Sequence, residues 1–100
     1  MTEVVSKHVE LKRFRAVVHG RVQGVSFRHY TEEQARRLDL VGCVRNCWDG
    51  TVEVVAEGPA DDLQRFLSWL HVGERPARVT RVDIQWQTPV GEFEDFEVRF

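Results

Sequence analysis

Along this chain the spacing of apolar residues switches between a period of two and a period of three to four, and each switch marks an element. Phe14, Ala16 and Val18 alternate with Arg13, Arg15 and His19, which predicts a strand over about 11–19. Phe27, Thr31, Ala35 and Leu38 then share one face of a helix over about 27–39, with Glu32, Glu33, Arg36 and Arg37 on the other. Ser26 stands at its N-cap position. Residues 41–48 and 51–56 read as two strands, and Asp49-Gly50 between them is a hairpin signal, expected as a type I′ turn. Leu63, Phe66, Leu67 and Leu70 mark a second helix over about 60–71, with Asp61 and Asp62 in its first turn and Gly73 after its end. Beyond Pro76, Val82, Ile84 and Trp86 alternate in a further strand, and Phe96, Val98 and Phe100 in a short last one.

This order, βαββαβ with an added terminal strand, predicts an α+β fold. The expected architecture is a ferredoxin-like sandwich, an antiparallel sheet with both helices on one face and a short extra C-terminal strand. Residues 1–10 are mixed and polar and are expected to form a flexible arm, leaving a single domain over 11–100. Direction then matters for chemistry. If the first strand runs up, the first helix runs down and the second strand runs up again. The end of that second strand, Arg45-Asn46-Cys47-Trp48, is therefore expected at the same sheet edge as the loop over residues 20–27.

Composition narrows the partners. A net charge of −2 and a pI of about 6.1 argue against a nucleic-acid binder. No stretch is long or apolar enough to span a bilayer, and residues 1–7 lack a signal-peptide core, so no membrane association and a cytoplasmic address are expected. Lys12, Arg13, Arg15, Arg21 and Arg28 supply local basicity that suits a small anion. Cys43 and Cys47, read on one strand, would lie about 13 Å apart, too far for a disulfide. They lack the further ligands of a metal site, so no metal or cofactor is expected, and they read as reduced structural thiols. Asp49 and Glu53 occupy the sixth positions after them, so the Cys-x5-Arg loop of cysteine phosphatases is absent.

The most informative stretch is Val18-His19-Gly20-Arg21-Val22-Gln23-Gly24-Val25-Ser26-Phe27-Arg28. Its glycines let the backbone take positive φ, and a loop-to-helix junction leaves unpaired N–H groups converging on one spot that favours an anion. Arg28 in the first helical turn opposes the helix dipole at a cost of roughly 0.3–1 kcal/mol, and no acid appears before Glu32. A phosphate or carboxylate would satisfy both. Other chemistries fit poorly. Gly24-Val25-Ser26-Phe27-Arg28 has an arginine where a nucleophile elbow needs its second glycine. His8, His19, His29 and His71 show no metal spacing, and no Walker loop occurs. Glu32, Glu33, Asp61 and Asp62 read as solvated helix faces. On the residues alone two readings stay open: an anion cradle, or a loop that merely turns the chain while Arg28 pairs with a surface acid.

The run from Val18 to Arg28 resembles the first signature of the acylphosphatase family at every defining position, and Gly42-Cys43-Val44-Arg45-Asn46, with Gly50, Val52 and Gly58, resembles the second. The likeness covers roughly residues 11–100. One position departs: Cys43 stands where the family usually has an aromatic residue, which bears on local packing. The resemblance implies a metal-independent hydrolase that cleaves the carboxyl–phosphate bond of acyl phosphates without a covalent intermediate. Arg28 would bind the phosphate and Asn46 would position the attacking water. The loop of Arg21, Val22, Gln23, Gly24, Val25, Ser26 and Phe27 would offer backbone N–H groups, and inorganic phosphate or sulfate would compete for it. The competing expectation is a non-catalytic ferredoxin-like module that uses the cradle to hold an anion or a partner. The fold also resembles the amino-terminal part of larger hydrogenase-maturation proteins, although no second domain is expected after Phe100.

Overall fold

The computed structural model describes residues 10–100. The expected arm over residues 1–10 therefore lies, apart from Glu10, outside the described residues. The elements run β1 (Leu11–Arg21), α1 (Phe27–Arg37), β2 (Val41–Asn46), β3 (Val52–Pro59), α2 (Ala60–Val72), β4 (Arg78–Gln87) and β5 (Phe96–Arg99). They form one five-stranded sheet in the order β4-β1-β3-β2-β5. β3 runs antiparallel to both β1 and β2, and β4 antiparallel to β1, which gives the expected ferredoxin-like core. The added strand differs from expectation: β5 pairs parallel with β2, so the sheet is mixed. Parallel pairing follows from the long connection 88–95, which carries the chain across the sheet before β5 starts.

Alternation in the strands and the three-to-four spacing in the helices converge on one core. Phe14, Ala16 and Val18 of β1, Val44 of β2, and Val52, Val54 and Ala56 of β3 are fully buried beneath the helices. Phe66 of α2 sits among them, 6.1 Å from the Phe14 ring and edge-on to Phe96 at 5.8 Å. Burying each of the valine and phenylalanine side chains stabilises the fold by about 1.5–3 kcal/mol.

Two local expectations are corrected. α1 stops at Arg37, two residues short of the expected 39, because Asp39 takes a left-handed φ of 56°. The Leu40 N–H then donates to the Ala35 carbonyl (3.0 Å) and the Asp39 N–H to that of Arg36 (3.1 Å), a Schellman stop with aspartate in the usual glycine position. The hairpin is not a type I′ turn either. Gly50 N–H donates to the Cys47 carbonyl (3.1 Å) and Cys47 N–H to that of Thr51 (2.8 Å), and only Gly50 among the central residues has positive φ. This is the pattern of a type I turn closed by a glycine bulge. Asp49 favours it, because its carboxylate accepts from the N–H (3.0 Å) and hydroxyl (2.6 Å) of Thr51.

On the face without helices, β3 carries two acids among arginines. Glu53 pairs with Arg15 and Arg45. Buried Glu57 accepts from Arg13 (2.6 Å) and from the N–H groups of Val90 (3.0 Å) and Gly91 (3.2 Å), which fastens the 88–95 connection to the sheet. Burial works against the Glu57 carboxylate, yet these donors hold its pKa below the usual range. Cys43 is buried in β2, which pushes its thiol pKa up, and Cys47 lies just past the end of that strand; both are free.

Candidate active site

β1 and β2 both run antiparallel to β3, and β5 runs parallel to β2, so the ends of β1, β2 and β5 meet at one edge. The chain leaves β1 through a bulge between His19 and Gly20. A side chain at Gly20 would place its Cβ 2.0 Å from the Arg78 carbonyl oxygen, so only glycine permits this exit. In the loop that follows, Gly24 (φ 73°) and Ser26 (φ 62°) are left-handed, whereas Val25 and Phe27 are not. Such alternation turns successive N–H groups toward one concavity, the geometry of an anion nest. For Ser26 that conformation costs about 1–2 kcal/mol, which glycine would avoid.

Ser26 occupies the N-cap position, but its side chain makes no capping bond; its contribution is the carbonyl that accepts from Tyr30 N–H (3.1 Å). The first turn contains no acid. Its N–H groups and the positive end of the helix dipole are therefore left to an external anion.

Arg28 projects from that turn. Its Nη1 donates to the Arg99 carbonyl (2.9 Å), and its guanidinium lies over the Phe100 ring, 4.6 Å from the centroid. No carboxylate among the described residues forms an ion pair with it, so among those residues Arg28 serves no surface acid. Asn46, the last residue of β2, faces the same space. Its Oδ1 is buried and has no hydrogen-bond partner, a condition that costs about 1–3 kcal/mol unless a ligand or water relieves it.

Arg28 and Asn46 share a cleft of about 470 Å³ with Val22, Gly24, Ser26 and Phe27. Arg21, Gln23 and Val25 do not line it. Gln23 instead reaches across to the hairpin, and its Nε2 donates to the carbonyls of Cys47 (2.6 Å) and Thr51 (2.8 Å). It braces the loop that leads into α1, and so to Arg28, against the turn that follows Asn46. The remaining wall, which the sequence alone does not reveal, is formed by His29, Glu32, Val98 and Phe100. The signal lay in β5: once it is parallel to β2, with Arg45 opposite Arg99, the chain end must arrive beside Asn46.

The family model for acylphosphatase matches residues 14–98. An acylphosphatase of Salinibacter ruber is 50% identical over 88 residues, 88% of this chain and 93% of the relative. The crystal structure of the Bacillus subtilis acylphosphatase superposes with a TM-score of 0.86 at 34% identity, covering 91% of this chain and 100% of that one. An acylphosphatase from Coxiella burnetii also reaches 0.86 at 34% identity, covering 96% of this chain and 100% of its own. With two signatures in order, a shared fold and a match over most of its length, the chain belongs to the acylphosphatase family.

Proposed function

We propose that this chain hydrolyses acyl phosphates to a carboxylate and inorganic phosphate in the Arg28–Asn46 cleft, with Arg28 holding the phosphoryl group and Asn46 the attacking water. The reaction class follows from family membership; the division of roles rests on the buried, unpartnered Oδ1 of Asn46. That atom can accept from one water hydrogen and so fix the lone pair of the water toward phosphorus. A module that only bound anions would need the cradle but not this acceptor.

The chemistry needs little more. Water oxygen bonds to phosphorus as the bond to the acyl oxygen breaks, and the electron pair of that bond leaves on a carboxylate. A carboxylate is a stable anion at neutral pH, so no general acid is required. The proton of the water passes to a phosphoryl oxygen of the substrate, because an amide cannot act as base. Phosphoryl transfer of this kind depends on positioning and on stabilising charge on the equatorial oxygens. The planar guanidinium of Arg28 can bind two of them, and the nest and first-turn N–H groups the third. Inorganic phosphate or sulfate should occupy the same cradle.

The catalytic unit in this reading is the single domain over residues 11–100. No helix among the described residues is long and apolar enough to cross a membrane. Two free thiols suit a reducing compartment, and the reading places the chain in the cytoplasm. It also assigns no role to a metal, since the leaving group needs no Lewis acid. The test is phosphate release from a simple acyl phosphate with a phosphomonoester as control, before and after exhaustive chelation. Rapid turnover of the acyl phosphate alone, unchanged by chelation, is expected. Absence of turnover would overturn the reaction, and a rate lost on chelation and restored by zinc or magnesium would overturn the mechanism.

A further inference from the structure

Eight of the twelve arginines lie within 4.0 Å of a carboxylate oxygen. Four have no such partner among the described residues: Arg28, which faces the cleft, and Arg21, Arg75 and Arg78. These last three gather at one corner. Arg21 and Arg78 are direct register partners at the end of the β1–β4 ladder, and both are exposed. Like charges facing each other across a ladder are destabilising, and among the described residues no carboxylate oxygen lies within 4.0 Å of either guanidinium. Glu74 is adjacent in sequence to Arg75, yet among the described residues no carboxylate oxygen lies within 4.0 Å of that guanidinium.

Arg75 and Arg78 line a hollow of about 610 Å³ beneath the loop from α2 to β4, together with Gly73, Pro76 and Thr80. No residue lines both this hollow and the cleft. They are neighbours through Phe27, which lines the cleft and whose ring would sit 3.4 Å from a Cβ at Gly73 of the hollow. In a chain of net charge −2, three guanidiniums at one corner with no carboxylate partner among the described residues are a local reversal of sign.

We infer that Arg21, Arg75 and Arg78 form a second anion-binding site, separate from the cleft, for a small molecule carrying clustered phosphates. Neighbouring strand backbones about 4.8 Å apart bring the two opposed side chains within reach of one anion, and Arg75 lines the hollow beside Arg78. A single monoanion cannot neutralise three cations. A molecule with adjacent phosphate groups can.

Pyrophosphate is the probe, titrated into the isotope-labelled protein at ionic strength held constant with chloride, while backbone amide shifts are followed. Amides of residues 75–80 should shift and saturate as a set distinct from those of residues 24–28. Arg75→Gln, confined to a loop, should weaken the first set about tenfold. Arg75→Gln with Arg78→Gln should flatten it while leaving the second set and kcat/KM for an acyl phosphate unchanged. Loss of the 24–28 response alone would count against the proposed catalytic site and not against this one. A linear drift at 75–80, or a saturating shift that survives both substitutions, would overturn the second site.

Discussion

Arg28 offers the most quantitative prediction, because its contacts in the empty protein can be weighed against those it would make to substrate. Arg28→Ala relieves an unfavourable cation at a helix start, a gain of roughly 0.3–1 kcal/mol. It loses one exposed hydrogen bond to the Arg99 carbonyl, about 0.5–1.5 kcal/mol, and stacking over Phe100, about 0.5–1 kcal/mol. The net cost to stability is about 1 kcal/mol, a fall in Tm of about 4–8 °C for a domain of this size. Substrate is a different matter. Two charge-assisted bonds to phosphoryl oxygens, each worth about 1.5–3 kcal/mol, amount to roughly 10²–10⁴-fold in kcat/KM. Arg28→Lys keeps the charge but not the fork, and should remain at least about tenfold below the wild type. The assays are phosphate release from acetyl phosphate and a melting curve for each variant. Turnover of Arg28→Lys close to that of the wild type would refute fork binding. A melting temperature lowered by far more than about 8 °C in Arg28→Ala would show that the arginine serves the fold.

Asn46→Ala should lower kcat much more than it raises KM, as steady-state kinetics will show, because Asn46 holds the water and not the phosphate; a loss mainly in KM would make it a substrate ligand. Phosphate and sulfate should each inhibit competitively. Each should also raise Tm, by about 2.7 kcal/mol of stability at 100 times the dissociation constant. A chloride-matched control and Arg28→Ala separate this from general salt effects; equal stabilisation of both proteins would remove the cradle. Glu57 predicts acid sensitivity. Its folded pKa is depressed, so its contribution is complete above the unfolded value of about 4.3 and is lost as pH falls through the lower folded value. Glu57→Gln should be less stable than the wild type at neutral pH and flatten that part of the stability–pH curve, measured by denaturant midpoints.

Much of this was legible because periodicity and direction are local facts. The alternation around Phe14 and Val18 and the spacing of Leu63 to Leu70 placed the core, and strand direction alone put Asn46 beside the glycine loop. What escaped detection depended on partners distant in sequence or on a single backbone torsion. Asp39 ends α1 in a conformation usually given to glycine, and Asp49 spends its carboxylate on Thr51 and so changes the turn. The direction of β5 was not readable from four alternating residues, and with it went the Arg99 carbonyl and Phe100 ring that hold Arg28. Gln23 looked like one more cradle residue; only the folded chain shows it reaching the hairpin.

The central claim is that water held by Asn46 attacks phosphorus while Arg28 grips the phosphoryl oxygens. Turnover of an acyl phosphate in ¹⁸O-labelled water, with enzyme abundant enough to outrun the spontaneous reaction, tests it by mass spectrometry of both products. The account predicts one ¹⁸O in each inorganic phosphate and none in the carboxylate. Label in the carboxylate would mean that water attacks the acyl carbon, and the roles assigned to Arg28 and Asn46 would be contradicted together.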